Sequence, residues 1–418
     1  MKILFTQDAL VNAGAERSHL EILSRLSKEV EVVFVYFYPK HDLKEEYEKA
    51  GIRLIFLDVP ESYHFWLAVS RLVKVIKSEK PDILISSLWR ADIITRIASL
   101  ITGVPLIGTL VNDSYGPLAW KDKKGWKYNG VYWLDRLTAG IPKHWIANAQ
   151  ALADSHVRTL GLGADKISVV YRGRVVSEQK WRKEGKGIPI TIGRDLGEGI
   201  ERIKPYAFIS YGRLLERKGF QDAIQAFASV VQKHPNSSLT IYGEGPFRSN
   251  LESLISNLKL TNHVKLSGKF NAPTNPLFPI PSPIAIGAPN PPNLSSPNLS
   301  SLNSLNLLLS STYFLFPSWY EGFSGALVEA MMAGIPIIAS DIPMNLEAVS
   351  PENALIFEVQ NIGQLANQMV FAIENPEQMA EFGSRAREEA IARFDIEKIA
   401  LQYEQTLHKF YQKLRSEA

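Results

Sequence analysis

Two carboxylates frame a short turn and the start of a helix in the second half of the chain. Glu321 and Glu329 lie eight positions apart in the stretch EGFSGALVEAMMAGIPIIASD, between two apolar runs that predict strands. Both acids are therefore expected near the carboxyl edge of a parallel sheet, where open α/β folds bind ligands. Acids are also common near helix N-termini, because the helix dipole favours them. Substrate binding and helix capping both stay open at this point.

Two cations occupy another strand-to-helix connection, in the segment GRLLERKGF. Arg213 ends a predicted strand, and Lys218 comes directly before a predicted helix. Backbone N–H groups and the dipole at a helix N-terminus add to such side-chain charges, so this pattern predicts an anion site. A phosphate or diphosphate is the expected ligand. The alternative is that both cations are solvated loop charges beside Glu216.

Two further connections are rich in glycine. The segment YGEGPF supplies Gly243 and Gly245, but Arg248 stands where the dinucleotide fingerprint GxGxxG has its third glycine. In NAGAERS, Gly14 would let a ligand approach the backbone at the start of a helix. Each pattern is also ordinary in strand–turn–helix connections, so neither defines a site alone.

Composition narrows the class of protein. The 418 residues predict two domains, and the formal net charge of +3 does not by itself suggest a nucleic-acid partner. Cysteine is absent, which removes disulfides and thiolate sites and fits a reducing compartment. No apolar run is long enough to span a bilayer, and MKILFTQDAL reaches Asp8 too soon for a signal peptide. We therefore expect a cytoplasmic protein.

Short apolar runs alternate with amphipathic stretches along the whole chain. This alternation predicts an α/β fold of parallel sheets wound with right-handed crossovers. A long C-terminal helix is predicted over residues 396–414. The predicted strands are residues 2–6, 31–37, 82–86, 105–109, 145–149, 206–211, 239–243, 264–267, 313–316 and 336–340.

Two segments interrupt this pattern. Residues 177–204 are rich in Lys, Arg and Gly and weakly periodic, so we place the domain boundary there. Residues 271–306 consist mostly of Pro, Asn, Ser and Leu, with nine prolines. This composition predicts an insertion without regular structure, at about residues 271–308. A Pro-rich docking site and a sequence error are the alternatives.

Other familiar chemical signatures are missing. The chain contains no P-loop, HExxH, GxSxG or DxD after a strand, and its eight histidines are scattered. We therefore expect no metal site. Asn112, Asp113 and His144 lie near predicted strand ends, where core or loop roles are expected.

One aromatic segment is mixed with lysines. Between Trp120 and Trp133 the sequence reads WKDKKGWKYNGVYW. This mixture suits a membrane interface, a sugar acceptor surface or the packing of a surface helix. All three interpretations stay open.

Taken together, these motifs resemble the retaining GT-B glycosyltransferases of family 4. GAER, GRLLERKGF, YGEGP and EGFSGALVEAMMAGIPIIASD occur in the family's order and cover nearly the whole chain apart from the insertion. The resemblance implies two Rossmann-like domains facing across a cleft. It divides the chain into an acceptor-side domain (1–176), a linker (177–204), a nucleotide-sugar-binding domain (205–394) and a helix that crosses back (395–418).

The resemblance also implies roles for the site residues. Arg213 and Lys218 would hold the donor diphosphate, Glu321 would bind the transferred sugar, and Glu329 would bind the ribose. The remaining donor-binding positions are glycines and neighbours whose backbone approaches the ligand. They are Gly14, Gly243, Gly245, Gly322, Phe323 and Ser324.

The implied reaction moves a hexose from a nucleotide-sugar, most simply a UDP- or GDP-sugar, to a glycan or lipid-linked acceptor, without a cofactor. Surface polysaccharide synthesis at the inner face of the membrane fits the family. Departures include Ala13 for the first glycine of the GAER run, Thr312 for an expected aspartate, and no histidine after the strands near Ser87 and Thr109. An epimerase or phosphorylase, and a catalytically degenerate nucleotide-sugar-binding subunit, are the alternatives.

Overall fold

The chain folds into two α/β domains in a computed structural model, which describes residues 1–61, 64–121, 125–176, 206–268, 308 and 311–417. The first domain holds a seven-stranded sheet and the second a six-stranded sheet, and all pairs of neighbouring strands are parallel. The predicted linker (177–204) and most of the predicted insertion (271–308) lie outside the described residues.

The first sheet has the strand order β3-β2-β1-β4-β5-β6-β7. Its strands are β1 (Lys2–Gln7), β2 (Glu31–Tyr36), β3 (Arg53–Phe56), β4 (Ile83–Ser87), β5 (Leu106–Leu110), β6 (His144–Ala147) and β7 (Ile167–Val169). Seven helices connect them: α1 (Gly14–Leu23), α2 (Lys44–Lys49), α3 (Phe65–Glu79), α4 (Trp89–Thr102), α5 (Pro117–Lys121), α6 (Trp126–Thr138) and α7 (Gln150–Leu160).

The second sheet has the order β10-β9-β8-β11-β12-β13. Its strands are β8 (Ala207–Tyr211), β9 (Ser238–Tyr242), β10 (Val264–Leu266), β11 (Tyr313–Phe316), β12 (Ile337–Ser340) and β13 (Leu355–Phe357). The helices that follow the linker are α8 (Phe220–Lys233), α9 (Arg248–Asn257), α10 (Gly325–Ala333), α11 (Pro343–Leu346), α12 (Ile362–Glu374), α13 (Pro376–Arg393) and α14 (Ile396–Glu417).

Both sheets reverse their winding direction at one place, between β1 and β4 in the first and between β8 and β11 in the second. Ligands of open α/β sheets bind outside the carboxyl ends of the strands at such a reversal. The loops that leave β1, β8 and β11 carry Gly14, Arg213 and Glu321 respectively. The topology alone therefore brings the predicted site residues to these edges.

The predicted fold class is confirmed, and each of the ten predicted strands is present within about two residues of its expected bounds. Central strands such as β4 and β11 are buried on both faces, which is why their uninterrupted apolar runs were readable in the sequence. Three short strands, β3, β7 and β13, were not predicted. β3 and β7 lie at or next to a sheet edge and are only partly buried, so their sequences are less apolar.

The C-terminal helix α14 packs on the first domain although it follows the second. Ile399, Tyr403, Leu407 and Phe410 are buried in the core formed by β1, β2 and α1. A second contact joins the domains at α7, where the Glu347 carboxylate accepts hydrogen bonds from the backbone N–H groups of Gln150 (2.7 Å) and Ala151 (2.5 Å). An acid at a helix N-terminus is favourable because it satisfies free N–H groups there.

Candidate active site

The turn that carries Lys218 is pressed against the end of β11. Gly219, which begins α8, has φ of 66°, a left-handed conformation that glycine adopts without strain. A Cβ atom at Gly219 would collide with the Pro317 carbonyl oxygen. Glycine is therefore required at position 219 for two reasons. The close approach of this turn to the end of β11 brings the Lys218 ammonium to Glu321.

Lys218 and Glu321 form an ion pair in the cleft, and Ser318 Oγ also donates a hydrogen bond to Glu321 Oε1 at 2.8 Å. Glu321 is 8% exposed. Burial would raise the pKa of Glu321, but the charges of Lys218 and Arg217 and the two side-chain hydrogen bonds together lower it below its ordinary value. Glu321 is thus an ionised acceptor, suited to hydroxyl donors.

Glu329, on α10, is held from two sides. Arg174 Nε donates to one carboxylate oxygen at 2.7 Å, and Tyr211 Oη donates to the other at 2.7 Å. Arg174 Nη1 also donates to Glu21 Oε2, on α1 of the first domain, at 3.0 Å. Burial lowers the pKa of Arg174, but the nearby charges of Glu21 and Glu329 outweigh it and raise that pKa overall. A Glu–Arg–Glu triad, in which Glu21 and Arg174 are buried and Glu329 is partly exposed, therefore joins the two domains.

Helix α10 has its own N-cap. The Ser324 side chain accepts a hydrogen bond from the Leu327 N–H at 3.4 Å, and neither acid of the motif caps the helix. The capping interpretation of Glu321 and Glu329 is therefore wrong, because a serine satisfies the helix end and both acids bind cations instead.

The other motif residues of the second domain shape the backbone. A Cβ at Gly322 would collide with the Val111 carbonyl of the first domain, so this glycine permits the close approach of the two walls. The Phe323 side chain is buried against Tyr171 and Phe394, with ring centroids 5.0 and 5.2 Å away. Only its backbone is then left to face a ligand.

Gly243 and Gly245 pack behind the loop that carries Arg213. A Cβ at Gly243 would collide with the Gly212 carbonyl, and one at Gly245 with the Leu214 backbone. The glycines of this segment therefore support the position of the Arg213 loop. Arg213 itself is exposed, and among the described residues no carboxylate forms an ion pair with it.

The first-domain wall contains the predicted Gly14 together with two acids, Glu16 and Asp8, to which the sequence analysis gave no role. Gly14 is exposed at the start of α1, and a Cβ there would lie 3.5 Å from Arg172 Nη1. Glu16, in the first turn of α1, is 4% exposed, and burial raises its pKa to about 7, although the charges of Arg172 and Arg213 lower it. Burial also raises the pKa of Asp8, after β1, to about 6, although Asp8 accepts a hydrogen bond from the Ala91 N–H at 2.7 Å.

Arg172 and Arg174 belong to YRGRVV, which follows β7 directly. Two arginines beside a glycine after a strand resemble the pattern that marked Arg213 and Lys218. The sequence prediction did not include this segment. The site therefore draws cations from both domains.

The remaining polar residues of the predicted strand ends form ordinary side-chain contacts. In the described part of the chain, no group of three or more His, Asp or Glu residues is arranged to hold a metal ion. Asp113 accepts a hydrogen bond from Ser155 Oγ at 2.7 Å, and His144 Nε2 lies 2.9 Å from Ser168 Oγ. Both contacts agree with the loop and core roles expected for these residues.

The aromatic segment divides into two parts. The rings of Trp120 and Tyr132 pack against each other and against Tyr115. Trp126 and Trp133 are exposed on α6, at 79% and 55%. No helix among the described residues is both long and apolar enough to span a membrane.

Two Rossmann-like parallel sheets that face each other across a cleft define the GT-B class of proteins. Two family models match this chain: Glycosyltransferase Family 4 over residues 12–177, and Glycosyl transferases group 1 over residues 198–277 and 298–389. The chain therefore belongs to glycosyltransferase family 4. The resemblance to this family, which the motifs indicated, is confirmed.

Curated relatives match over part of their length. The UDP-Gal:alpha-D-GlcNAc-diphosphoundecaprenol alpha-1,3-galactosyltransferase of Escherichia coli is 26% identical over 306 residues, which cover 72% of this chain and 68% of that protein. An uncharacterized glycosyltransferase of Methanocaldococcus jannaschii is 29% identical over 136 residues, which cover 32% of this chain and 26% of that protein. The chain matches only about a quarter of the archaeal relative.

Solved structures match over nearly the whole chain. Anabaena HepE in complex with UDP and glucose superposes with a TM-score of 0.73 at 21% identity, covering 98% of this chain and 100% of HepE. A glycosyltransferase from Rickettsia africae superposes with a TM-score of 0.69 at 18% identity, covering 99% and 98% of the two chains. At identities this low, the likeness shows a shared fold and nothing more.

Proposed function

We propose that this glycosyltransferase transfers a hexose from a nucleoside diphosphate sugar to a glycan or lipid-linked acceptor with retention of anomeric configuration. The observation that carries the proposal is the Lys218–Glu321 pair at the carboxyl edge of the second sheet, in which Glu321 is buried and the Lys218 side chain is 16% exposed. A cation for a phosphate and an ionised acid for sugar hydroxyls lie side by side there. Such a pair matches the two halves of a sugar phosphate.

The names of relatives support the substrate class. The Escherichia coli relative is named for a UDP-galactose donor and a diphosphoundecaprenol acceptor, and the solved HepE structures contain UDP, glucose or UDP-glucose. A uridine nucleotide is therefore the first donor to test, with GDP-sugars second.

In the proposed reaction, the bond between the anomeric carbon and the diphosphate oxygen breaks, and its electron pair goes to the diphosphate. The acceptor hydroxyl forms the new bond from the same face, and its proton passes to the departing phosphate. Lys218 and Arg213 stabilise the charge that develops on the diphosphate, without a metal. We assign no protein nucleophile.

Glu329 retains capacity for a ribose in this proposal. Arg174 and Tyr211 each occupy one acceptor position on its two oxygens. A carboxylate offers about four acceptor positions, so two remain for the hydroxyls of a ribose. The backbone N–H groups of Gly322, Phe323 and Ser324 would then face the sugar and phosphates between the two acids.

The test is turnover of UDP- and GDP-hexoses, with lipid-linked and oligosaccharide acceptors and with hydrolysis as a second readout. The Lys218→Ala variant should lower kcat by about 10² to 10³, as expected when a preorganised stabilising group is lost. NMR of the product should show the anomeric configuration of the donor. Absence of both transfer and hydrolysis with every donor in a folded preparation would overturn the proposal.

We further propose that α6 contacts an anionic membrane surface. Trp126, Trp133 and Leu137 are 79%, 55% and 78% exposed and lie on one face of the helix, beside exposed Lys127. Tryptophan with lysine suits the interface between lipid and water. Trp126→Ala should weaken flotation with anionic liposomes, whereas Trp66→Ala, which removes an equally exposed ring on α3, should not. Equal flotation of both variants and the wild type would contradict this contact.

A further inference from the structure

Arg172 lies where the first domain meets the cleft. It follows β7 and is placed between the start of α1 and the end of β6. A Cβ at Gly14 would be 3.5 Å from its Nη1 atom. In the orientation that satisfies both of its polar atoms, the Asn148 side-chain amide accepts hydrogen bonds from Arg172 Nε (3.0 Å) and Nη2 (3.1 Å). Asn148 therefore fixes two nitrogens of the guanidinium and leaves Nη1 toward Gly14.

The charge of Arg172 has no direct counter-ion among the residues that the structure describes. Burial and the neighbouring charge of Arg174 lower its pKa to about 10, so it stays protonated at neutral pH. Glu321, Glu16 and Glu21 offset the charge only from a distance. Arg172 is partly buried, and a partly desolvated cation without a paired anion carries a cost that a bound anion would reduce.

A second cation, for which the described residues provide no ion-pair partner, lies in the other domain. Arg213 is exposed, and its charge, like that of Arg172, lowers the pKa of Glu16. Both charges therefore act on Glu16, in the first turn of α1, one from each domain. Helix α1 adds a third contribution, because its ten residues begin at Gly14 without a side-chain cap. Free N–H groups at such a helix end favour an anion.

We infer that Arg172 binds the sugar-bearing phosphate of the nucleoside diphosphate donor, opposite Arg213, so that both domains supply charge to the leaving group. The inference rests on the proposed function. The choice of that phosphate follows from the position of Asn148, which holds Arg172. The Asn148 side chain also lies 3.3 Å from the backbone nitrogen of Phe323, in the turn that begins at Glu321, the acid proposed to bind the transferred sugar.

The test compares binding of a nucleoside diphosphate with binding of its monophosphate by isothermal titration calorimetry. The nucleoside is the one that the wild type selects from UDP, GDP and ADP. Arg172→Ala should weaken diphosphate binding by about 10- to 100-fold, the usual worth of a hydrogen bond to a charged group, and should change monophosphate binding little. Arg172→Lys keeps the charge and should lose less.

Controls separate the possible failures. Arg158→Ala removes an exposed arginine from the last turn of α7 and should leave both affinities unchanged. Equal losses for the diphosphate and the monophosphate would assign Arg172 a structural role and overturn the inference. Unchanged diphosphate binding in folded Arg172→Ala and Arg172→Lys would overturn it as well. A wild type that binds none of these nucleotides would instead overturn the proposed function.

Discussion

The two walls of the cleft differ in whether their acidic side chains are paired with cations. On the second-domain wall each acid is paired, Glu321 with Lys218 and Glu329 with Arg174 and Tyr211. On the first-domain wall Glu16 and Asp8 are desolvated, and their pKa values rise to about 7 and about 6. The pairs keep the second wall fixed before any ligand arrives. The first wall is left with charges that a ligand or a proton can change.

The largest expected effect comes from the residue that joins the walls. Arg174→Met would remove the cation that pairs with the buried Glu21 and with Glu329, whose side chain is 20% exposed and keeps its Tyr211 hydrogen bond. Removing one partner of a buried pair typically costs about 3–5 kcal/mol. Urea unfolding should show a loss of this size in the free energy of unfolding. The double variant Glu21→Gln, Arg174→Met should recover part of the lost free energy of unfolding. A loss below about 1 kcal/mol in Arg174→Met alone would show that the triad does not stabilise the contact between the domains.

A smaller effect, which depends on pH, is expected on the first-domain wall. The folded pKa of Glu16 is about 7, raised from 4.5, so the folded state holds a proton that the unfolded state releases. The carboxyl carries no penalty below pH 4.5, and stability falls as pH rises through 7. Glu16→Gln should therefore gain stability relative to the wild type between pH 5 and pH 8, by about 1–3 kcal/mol.

Urea unfolding at both pH values checks this prediction. Glu45→Gln is the matched control, because the Glu45 side chain is 84% exposed on α2. An identical pH dependence of stability for Glu16→Gln and the wild type would contradict the prediction. It would mean that the Glu16 carboxylate is compensated by its surroundings, as the acids of the second-domain wall are.

The smallest expected effect concerns the end of α10. Ser324→Ala removes the N-cap of this helix and should cost about 1 kcal/mol. Thermal unfolding measures this loss. Because the acids bind cations instead of capping the helix, the losses caused by Ser324→Ala and Glu321→Gln should be additive in the double variant. A strongly non-additive loss would return Glu321 to a capping role.

The sequence predicted the second-domain wall better than the first for a physical reason. Arg213 and Lys218 lie within one short segment, and Glu321 and Glu329 within another, so local spacing and strand ends located them. The contacts of Arg174 instead join Glu21, Arg174 and Glu329, which are far apart in the chain. No local pattern encodes such a contact. Arg172, in contrast, lies in a local pattern of two arginines beside a glycine after a strand, and the sequence prediction did not include it.

The strands, too, were predicted only where the local sequence carries a clear signal. Buried central strands such as β1 and β11 appear as plain apolar runs, whereas the edge strand β3 begins with an exposed arginine and was not predicted. The return of α14 to the first domain followed from the family resemblance, since periodicity shows only that one face of a helix is apolar.

The most direct test of the central claim is a thermal-shift panel of UDP, GDP and ADP on the wild type, Lys218→Ala and Arg158→Ala. A ligand at 100 times its dissociation constant stabilises a protein by about 2.7 kcal/mol, which raises the melting temperature measurably. We predict that one nucleoside diphosphate stabilises the wild type and Arg158→Ala but not Lys218→Ala at the same concentration. No shift in the wild type, or equal shifts in all three proteins, would contradict a donor site built on the Lys218–Glu321 pair.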